Sequence, residues 1–568
     1  MRGKLAWWLA LVVAGAELAA RAAEGPNNAA TGLVARLHFG GTAALAGMGA
    51  NTARLQQFAN LPAAAELEAQ TESKLATAPF RFLQAKAKLP AGAADHADLL
   101  QPLARDLIHQ ESELEIWGTG ADNVPDLVLA VRLDDRQAMV WRTNLARVIT
   151  DWTGGIPVTP VQVEGAEGWE LKKHHRPDLI RLVRVAGWSV FAWGQDAIPG
   201  QNAMVQRLRK QGRPGQGGDE AWISGWVEGR TLGAHLPAWL PLDPATPTPS
   251  LSFSADPQAD YLRTKATLRF PQTLQIKRSR WLVPTNLVGE PLVGFTAWRG
   301  AQPWLQRLPK YAAWQVGPVP DQVFAWAVNR SVFDTTIAVP MPQATNVLQK
   351  LGARLLNEIN PLLQAHSVGE LQWTTNHHTL TWSRVGPIIQ PFLTATAGTN
   401  GDYLVAGPLF TPHHRAAPPA EMLGQLHAGT NLVYYDWEIT AERLKFWHNC
   451  QILYSMASRS GFALGLAAEK WLDTVGTNLD NTVTQVSVQG ANELSFVRKS
   501  PLGLTAMELT LAARYLDAPG FPFDAAAPST LKPRPLMAAP KTGGTNPGAV
   551  PATPTPTPTP TPSPGKPK

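Results

Sequence analysis

One cysteine, Cys450, stands in 568 residues. An intramolecular disulfide is therefore excluded, and no set of cysteine ligands for zinc exists. Charge is also scarce, at 17% Asp, Glu, Lys and Arg against 44% hydrophobic residues. That balance excludes a wholly disordered chain and fits a globular body. Beyond the N-terminus no apolar run reaches the about 18 residues a membrane helix needs. Motifs with chemistry attached are missing too. There is no P-loop, no G-x-S-x-G elbow, no kinase signature set and no H-E-x-x-H.

The formal charge of +6 is unevenly placed. Arg2, Lys4 and Arg21 against Glu17 carry +2 of it, and Lys532, Arg534, Lys541, Lys566 and Lys568 carry +5, so the rest of the chain holds −1. A near-neutral body has no electrostatic footprint for nucleic acid.

Residues 1–22 read as a secretory signal. Arg2 and Lys4 precede the apolar run Leu5–Ala16, and Ala20-Arg21-Ala22 offers small residues for cleavage. If uncleaved, the segment would anchor the chain to a membrane. Residues 523–568 end in alternating Thr-Pro, which disfavours helix and sheet and is expected to be disordered.

What the body does have is a recurring strand that runs into a helix. In Asp126–Trp152, Leu127, Leu129, Val131 and Leu133 alternate with Val128, Ala130 and Arg132. Period two predicts a strand. Asp134-Asp135 can cap a helix, and Trp141, Leu145, Ile149 and Trp152 form its stripe until Gly154-Gly155. Similar entries open at Leu33, Leu292, Val323 and Leu432. In the Val323 copy the helical stripe is Leu348, Leu351, Leu355, Ile359 and Leu362, and in the Leu432 copy it is Phe446, Cys450, Leu453 and Ala457. Several strands follow at Val158–Trp193, Glu370–Leu409 and Thr482–Leu516.

The expectation is an α+β fold of repeated β-α-β-β-β-like units with mostly antiparallel sheets. The division is α+β units at 23–118, 119–210, 321–415 and 420–522, with an irregular β-rich unit at 221–320.

Candidate chemistry is thin. Asp436 and Glu438 lie two apart in "YYDWEIT", which puts both carboxylates on one strand face about 7 Å apart. Such a pair can serve as acid and base in glycoside hydrolysis. The ordinary reading, two solvated charges before a helix, is preferred. His174-His175, His377-His378 and His413-His414 are adjacent pairs, and neighbours on a strand face opposite ways, so no metal is assigned. Cys450 reads as a core thiol. Gly47–Thr52, "GMGANT", lacks the third glycine of a dinucleotide fingerprint. Asn329-Arg330-Ser331 is a glycosylation sequon. Of the 21 tryptophans, Trp188, Trp193, Trp298, Trp326, Trp373, Trp382 and Trp437 lie in strand patterns beside apolar neighbours and read as core.

The functional expectation is an exported, periplasmic, extracellular or envelope-associated protein. It would be a non-enzymatic binder or scaffold partnered by an envelope protein or polysaccharide, with no cofactor. The alternative is a secreted hydrolase using Asp436 and Glu438.

Overall fold

Alternating β-branched and aromatic residues form strands because side chains then pack on a pleated surface. In the computed structural model twenty strands join in one sheet. The described residues are 32–522 without 87–88, 91, 119–125, 173–178, 195–197, 215–220, 230–248, 308–313, 330–334, 375–377, 386–388, 410–417 and 459–465. The signal, the Thr-Pro tail, His174-His175, His377 and His413-His414 thus lie outside them. Met1–Ala526 groups as one unit and Ala527–Lys568 as another, the latter wholly outside the described residues.

The strands are β1 (Gly32–Phe39), β2 (Ser112–Gly118), β3 (Asp126–Arg132), β4 (Thr159–Val163), β5 (Ala166–Lys172), β6 (Leu179–Val185), β7 (Trp188–Gly194), β8 (Ile223–Val227), β9 (Ser250–Pro257) and β10 (Leu262–Arg269). They continue as β11 (Leu292–Arg299), β12 (Gln322–Val328), β13 (Thr335–Pro340), β14 (Glu370–Trp373), β15 (Thr379–Ser383), β16 (Phe392–Gly398), β17 (Gly401–Gly407), β18 (Leu432–Ile439), β19 (Asn481–Val488) and β20 (Glu493–Ser500). All their pairings are antiparallel.

The spatial order is β4-β5-β6-β7-β3-β2-β1-β8-β9-β10, then β20-β19-β18-β11-β12-β13-β17-β16-β15-β14. Read inwards from either edge, the order is the same when β11 stands for β1, β12 for β2 and so on. The chain lays down one ten-strand pattern twice. The halves meet at β10 and β20, where Lys265 pairs with Val497. Both edges are guarded: β4 carries Pro160 and β14 is four residues long.

This is α+β with antiparallel sheet, and a unit of one strand, a helix and four strands recurs with the same pairing order at β3 to β7 and at β13 to β17, but the strand entries do not all open it. Leu127, Val323 and Leu432 occupy the third, twelfth and eighteenth strands, which are not equivalent; of the five strand entries only Leu33 and Leu292 match. The alternating patterns are alike, but partners are chosen by backbone register and connection, which the patterns do not encode. Two further differences arise locally. A strand, β13, precedes the helix Ala344–Glu358, in which Leu348 is buried, while Leu362 beyond it is exposed. Residues 506–517 are a helix, closed by a Thr505/Glu508 capping box, where strands were expected.

Other local readings match their physical cause. Asp134 Oδ1 accepts from the Gln137 N–H at 2.7 Å and caps the helix Asp135–Trp152. Ala186 and Gly187, at φ 47° and 83°, turn β6 into β7.

Helices cover the two faces unequally. On one face the helices Ala53–Ala59, Pro62–Lys86, Ala97–His109, Ala467–Gly476 and Ala506–Asp517 share a core with Phe39, Leu129 and Leu262. Here the halves interlock: Lys470 Nζ reaches Glu66 at 2.8 Å, and Trp471 Nε1 donates to the Phe58 carbonyl at 3.3 Å. On the other face the helix Pro199–Gln211 packs on β3 and β7, and Ala420–Ala428 packs in the second half. Between them no described helix covers the middle of that face.

Candidate functional site

The uncovered face is best read along its cross-strand rows, because directly paired residues point the same way. One row in the first half runs Glu113–His38–Ser224–Ser254–Lys265. The next runs Glu115–Arg36–Trp226–Ser252–Thr267. The matching rows of the second half are Phe324–Ala297–Tyr435–Gln485–Val497 and Trp326–Phe295–Trp437–Val483–Lys499. One half places carboxylates, hydroxyls and cations where the other places aromatic core. In the second half Trp281, Val283, Leu287 and Val288 close over that core, with Trp281 edge-on to Phe324 at 6.2 Å.

The first-half rows floor a groove of ≈ 730 Å³ whose lining includes Arg36, His38, Glu113, Trp226, Ser254 and Lys265. At one end lies a buried ion cluster. Arg36 donates through Nε and Nη2 to Glu115 Oε1 at 2.9 and 2.6 Å, and Arg207 Nη2 donates to the same oxygen at 2.6 Å. Trp117 Nε1 satisfies Glu115 Oε2 at 3.0 Å. Glu113 beside it fares differently. Its side chain is 1% exposed; Arg36 Nε lies 3.1 Å from its Oε1, yet the guanidinium is aligned on Glu115 and that oxygen accepts no hydrogen bond. Burial raises the Glu113 carboxyl to about 7, with Arg36 opposing and Glu115 adding to the rise. His38 Nδ1 is 4.0 Å from Glu113 Oε2, and burial lowers its pKa against the pull of Glu111.

Asp436 and Glu438 are on the opposite, helix-covered face, and they are not solvated charges. Glu438 is 6% exposed. The reason is tertiary. The helix Thr440–Ser458 begins directly after β18, and the first turn of Ala506–Asp517 lands on Glu438, whose Oε1 accepts the Ala506 N–H at 2.6 Å. Asp436 Oδ1 accepts from Thr296 Oγ1 at 2.6 Å. Its row is Thr296–Asp436–Thr484–Arg498. Arg498 donates to Thr484 at 2.9 Å and to both Glu508 oxygens at 2.6 and 3.2 Å. Burial raises both carboxyls, Glu438 to about 7, with Arg443 and Arg498 opposing. Arg443 lies over the Phe446 ring at 4.4 Å, and burial lowers its pKa. The groove's lining does not include Asp436 or Glu438.

The first half again holds the reverse. Its matching row, Leu37–Gly225–Phe253–Ala266, is apolar. A Cβ on Gly225 would meet Phe253 at 2.6 Å and Leu37 at 2.9 Å, so no side chain fits there. Each half therefore carries one polar row set, on opposite faces.

One further group has ligand-type atoms: Glu68, Glu72 and His109 lie within 4.8 Å of one another. Each is already engaged, His109 Nε2 with Glu68 at 2.7 Å and Arg105 with both Glu72 oxygens at 3.1 and 3.0 Å. They tie two helices together. Cys450 is half-buried on its helix, its thiol pKa raised by burial. Residues 47–52 form short helical turns, and Asn329 Nδ2 donates to Glu442 at 2.9 Å.

Sequence reasoning missed Arg36, His38, Glu113 and Glu115. A signal existed. "SELEIWG" spaces two carboxylates by two on a strand, as "YYDWEIT" does. What it lacked was any sign of which strands bring the bases. No family model matches the chain, nor does any curated protein or solved structure.

Proposed function

We propose that the chain is an exported, non-enzymatic binding protein of the cell envelope, with the groove over β2, β1, β8, β9 and β10 as its ligand site. The observation that carries this reading is the polar floor itself, at positions where the other half of the same fold packs Phe324, Phe295 and Trp326. Its volume, ≈ 730 Å³, lies in the range of about 300–1,000 Å³ common for ligand sites. Glu113, His38 and Ser224 are row neighbours, but the 4.0 Å gap between His38 and Glu113 exceeds hydrogen-bond reach, which favours binding over a nucleophilic relay.

The basic, apolar start at 1–22 supports export, and the Thr-Pro composition of 523–568 supports a spacer between the body and the envelope. The doubled ten-strand pattern is the scaffold. The test is fractionation of producing cells with mass spectrometry of the mature N-terminus. The expected result is a chain starting near Ala23 in the envelope or medium; Met1 retained in a cytosolic fraction overturns the reading.

A second reading is a glycan hydrolase using Asp436 and Glu438. It is favoured by one observation, the Glu438 carboxyl raised to about 7, where a general acid works. Product analysis on polysaccharides checks it: turnover lost in Glu438→Gln supports it, and absence of turnover removes it.

A further inference from the structure

The groove's chemistry selects among ligands, on the premise that it is the binding site proposed above. Its floor crosses five strands from Glu113 to Lys265, a span of about 19 Å at the usual strand spacing. The ligand must be long. Along the span lie Ser224, Ser252, Ser254 and Thr267, hydroxyls that both donate and accept. Trp226 stands in the middle, an indole with an apolar face and a donating edge. Carboxylates mark one end and Lys265 the other.

This pattern rejects the main alternatives. A polyanion such as nucleic acid needs a track of cations, and here Arg36, Arg213 and Lys265 are interrupted by Glu111 and Glu113. A lipid tail would leave the serines and Glu113 unpaired. An extended peptide binds a sheet by adding to an edge, but these five strands are paired on both sides and offer no free main-chain groups. What remains is a ligand with many hydroxyls and flat apolar ring faces.

We infer that the groove binds a linear oligosaccharide, stacked on Trp226, with sugar hydroxyls hydrogen-bonded to Ser224, Ser252 and Ser254. The second half gives independent support. It shows that the fold accepts Phe324 in the place of Glu113 and Tyr435 in the place of Ser224. Keeping a carboxylate buried and short of hydrogen bonds is costly to stability, and the architecture does not require it.

The experiment titrates the full chain with linear tetrasaccharides of glucose, of N-acetylglucosamine and of a uronic acid, by calorimetry and tryptophan fluorescence. One of them is expected to bind saturably. Trp226→Ala should weaken it by roughly tenfold or more, and Glu113→Gln, which removes the carboxylate from the groove lining, by a smaller factor. Ser254→Ala, a smaller change, should weaken it by roughly threefold and guards against misfolding of the other two. Lys470→Ala, on the helix-covered face, should leave it unchanged. No binding of any tetrasaccharide up to about 10 mM overturns the inference, and so does binding that all three groove variants retain. Saturable binding of a peptide or polyanion that Trp226→Ala abolishes overturns the sugar while sparing the binding-protein reading. Cleavage of a bound tetrasaccharide, lost in Glu438→Gln, sustains the sugar and overturns the non-enzymatic reading.

Discussion

The two halves share a strand order and differ in where they bury charge. In the first half Glu113, Glu115, Arg36 and Arg207 lie on the face between the capping helices, and the row behind them, Leu37–Gly225–Phe253, is greasy. In the second half Phe324, Phe295 and Trp326 fill the equivalent front, and Thr296, Asp436, Thr484 and Arg498 sit behind, under helices. One backbone pattern thus tolerates either polarity on either face, provided each buried charge finds partners. The second half satisfies Asp436, Glu438 and Arg498 through Thr296, Ala506 and Glu508 but leaves Arg443 Nη1 buried without a hydrogen bond. The first leaves Glu113 partly unsatisfied next to an open groove. The open groove beside Glu113, whose lining does not include Asp436 or Glu438, is why the first half holds the candidate ligand site.

The contrast can be broken by transplanting one half's residue into the other. Gly225→Asp puts the equivalent of Asp436 against Phe253 and Leu37, with neither room nor partner. It should lower the unfolding free energy by about 5 kcal/mol or prevent folding, read by urea denaturation. Phe324→Ala opens a cavity beneath Trp281, and a loss of about 4 kcal/mol is expected by the same assay.

Next in size is pH. Glu113 and Glu438 ionise near 4.5 when unfolded and about 7 when folded. The native state then holds the extra protons between those values. Their contribution is fully present below pH 4.5 and is lost as pH rises through about 7, by up to roughly 3 kcal/mol per group. Stability measured across this range should fall, and Glu113→Gln should remove one group's share of the slope. An unchanged slope would show that Glu113 is not held protonated. The smallest effect belongs to the exposed pair Arg269–Glu493, 3.1 Å apart across the β10–β20 join. Arg269→Ala should cost about 0.5 kcal/mol or less, since the join depends on its ladder and on the shared helical core.

Local structure was largely legible. Asp134 announced a cap, Gly154-Gly155 a helix end, and the alternation in "DLVLAVR" a strand. These rest on neighbours within a few residues, which the sequence displays. The repeat was legible only as alternation, so Val323 and Leu432 were grouped with Leu127 although they lie on non-equivalent strands. The doubling itself left little trace because matched positions hold unlike residues, Glu113 against Phe324 and Gly225 against Asp436.

By itself, then, the sequence determined the element types, their caps and turns, and the mix of helix with antiparallel strand, because each follows from short-range sterics and period. Only the tertiary structure decided which strands meet, that ten of them recur as a second set, and that Asp436 is roofed over while Glu113 borders open space. Those outcomes depend on pairings between residues far apart in the chain, such as Arg36 with Glu115 and Glu438 with Ala506, and no local pattern specifies them.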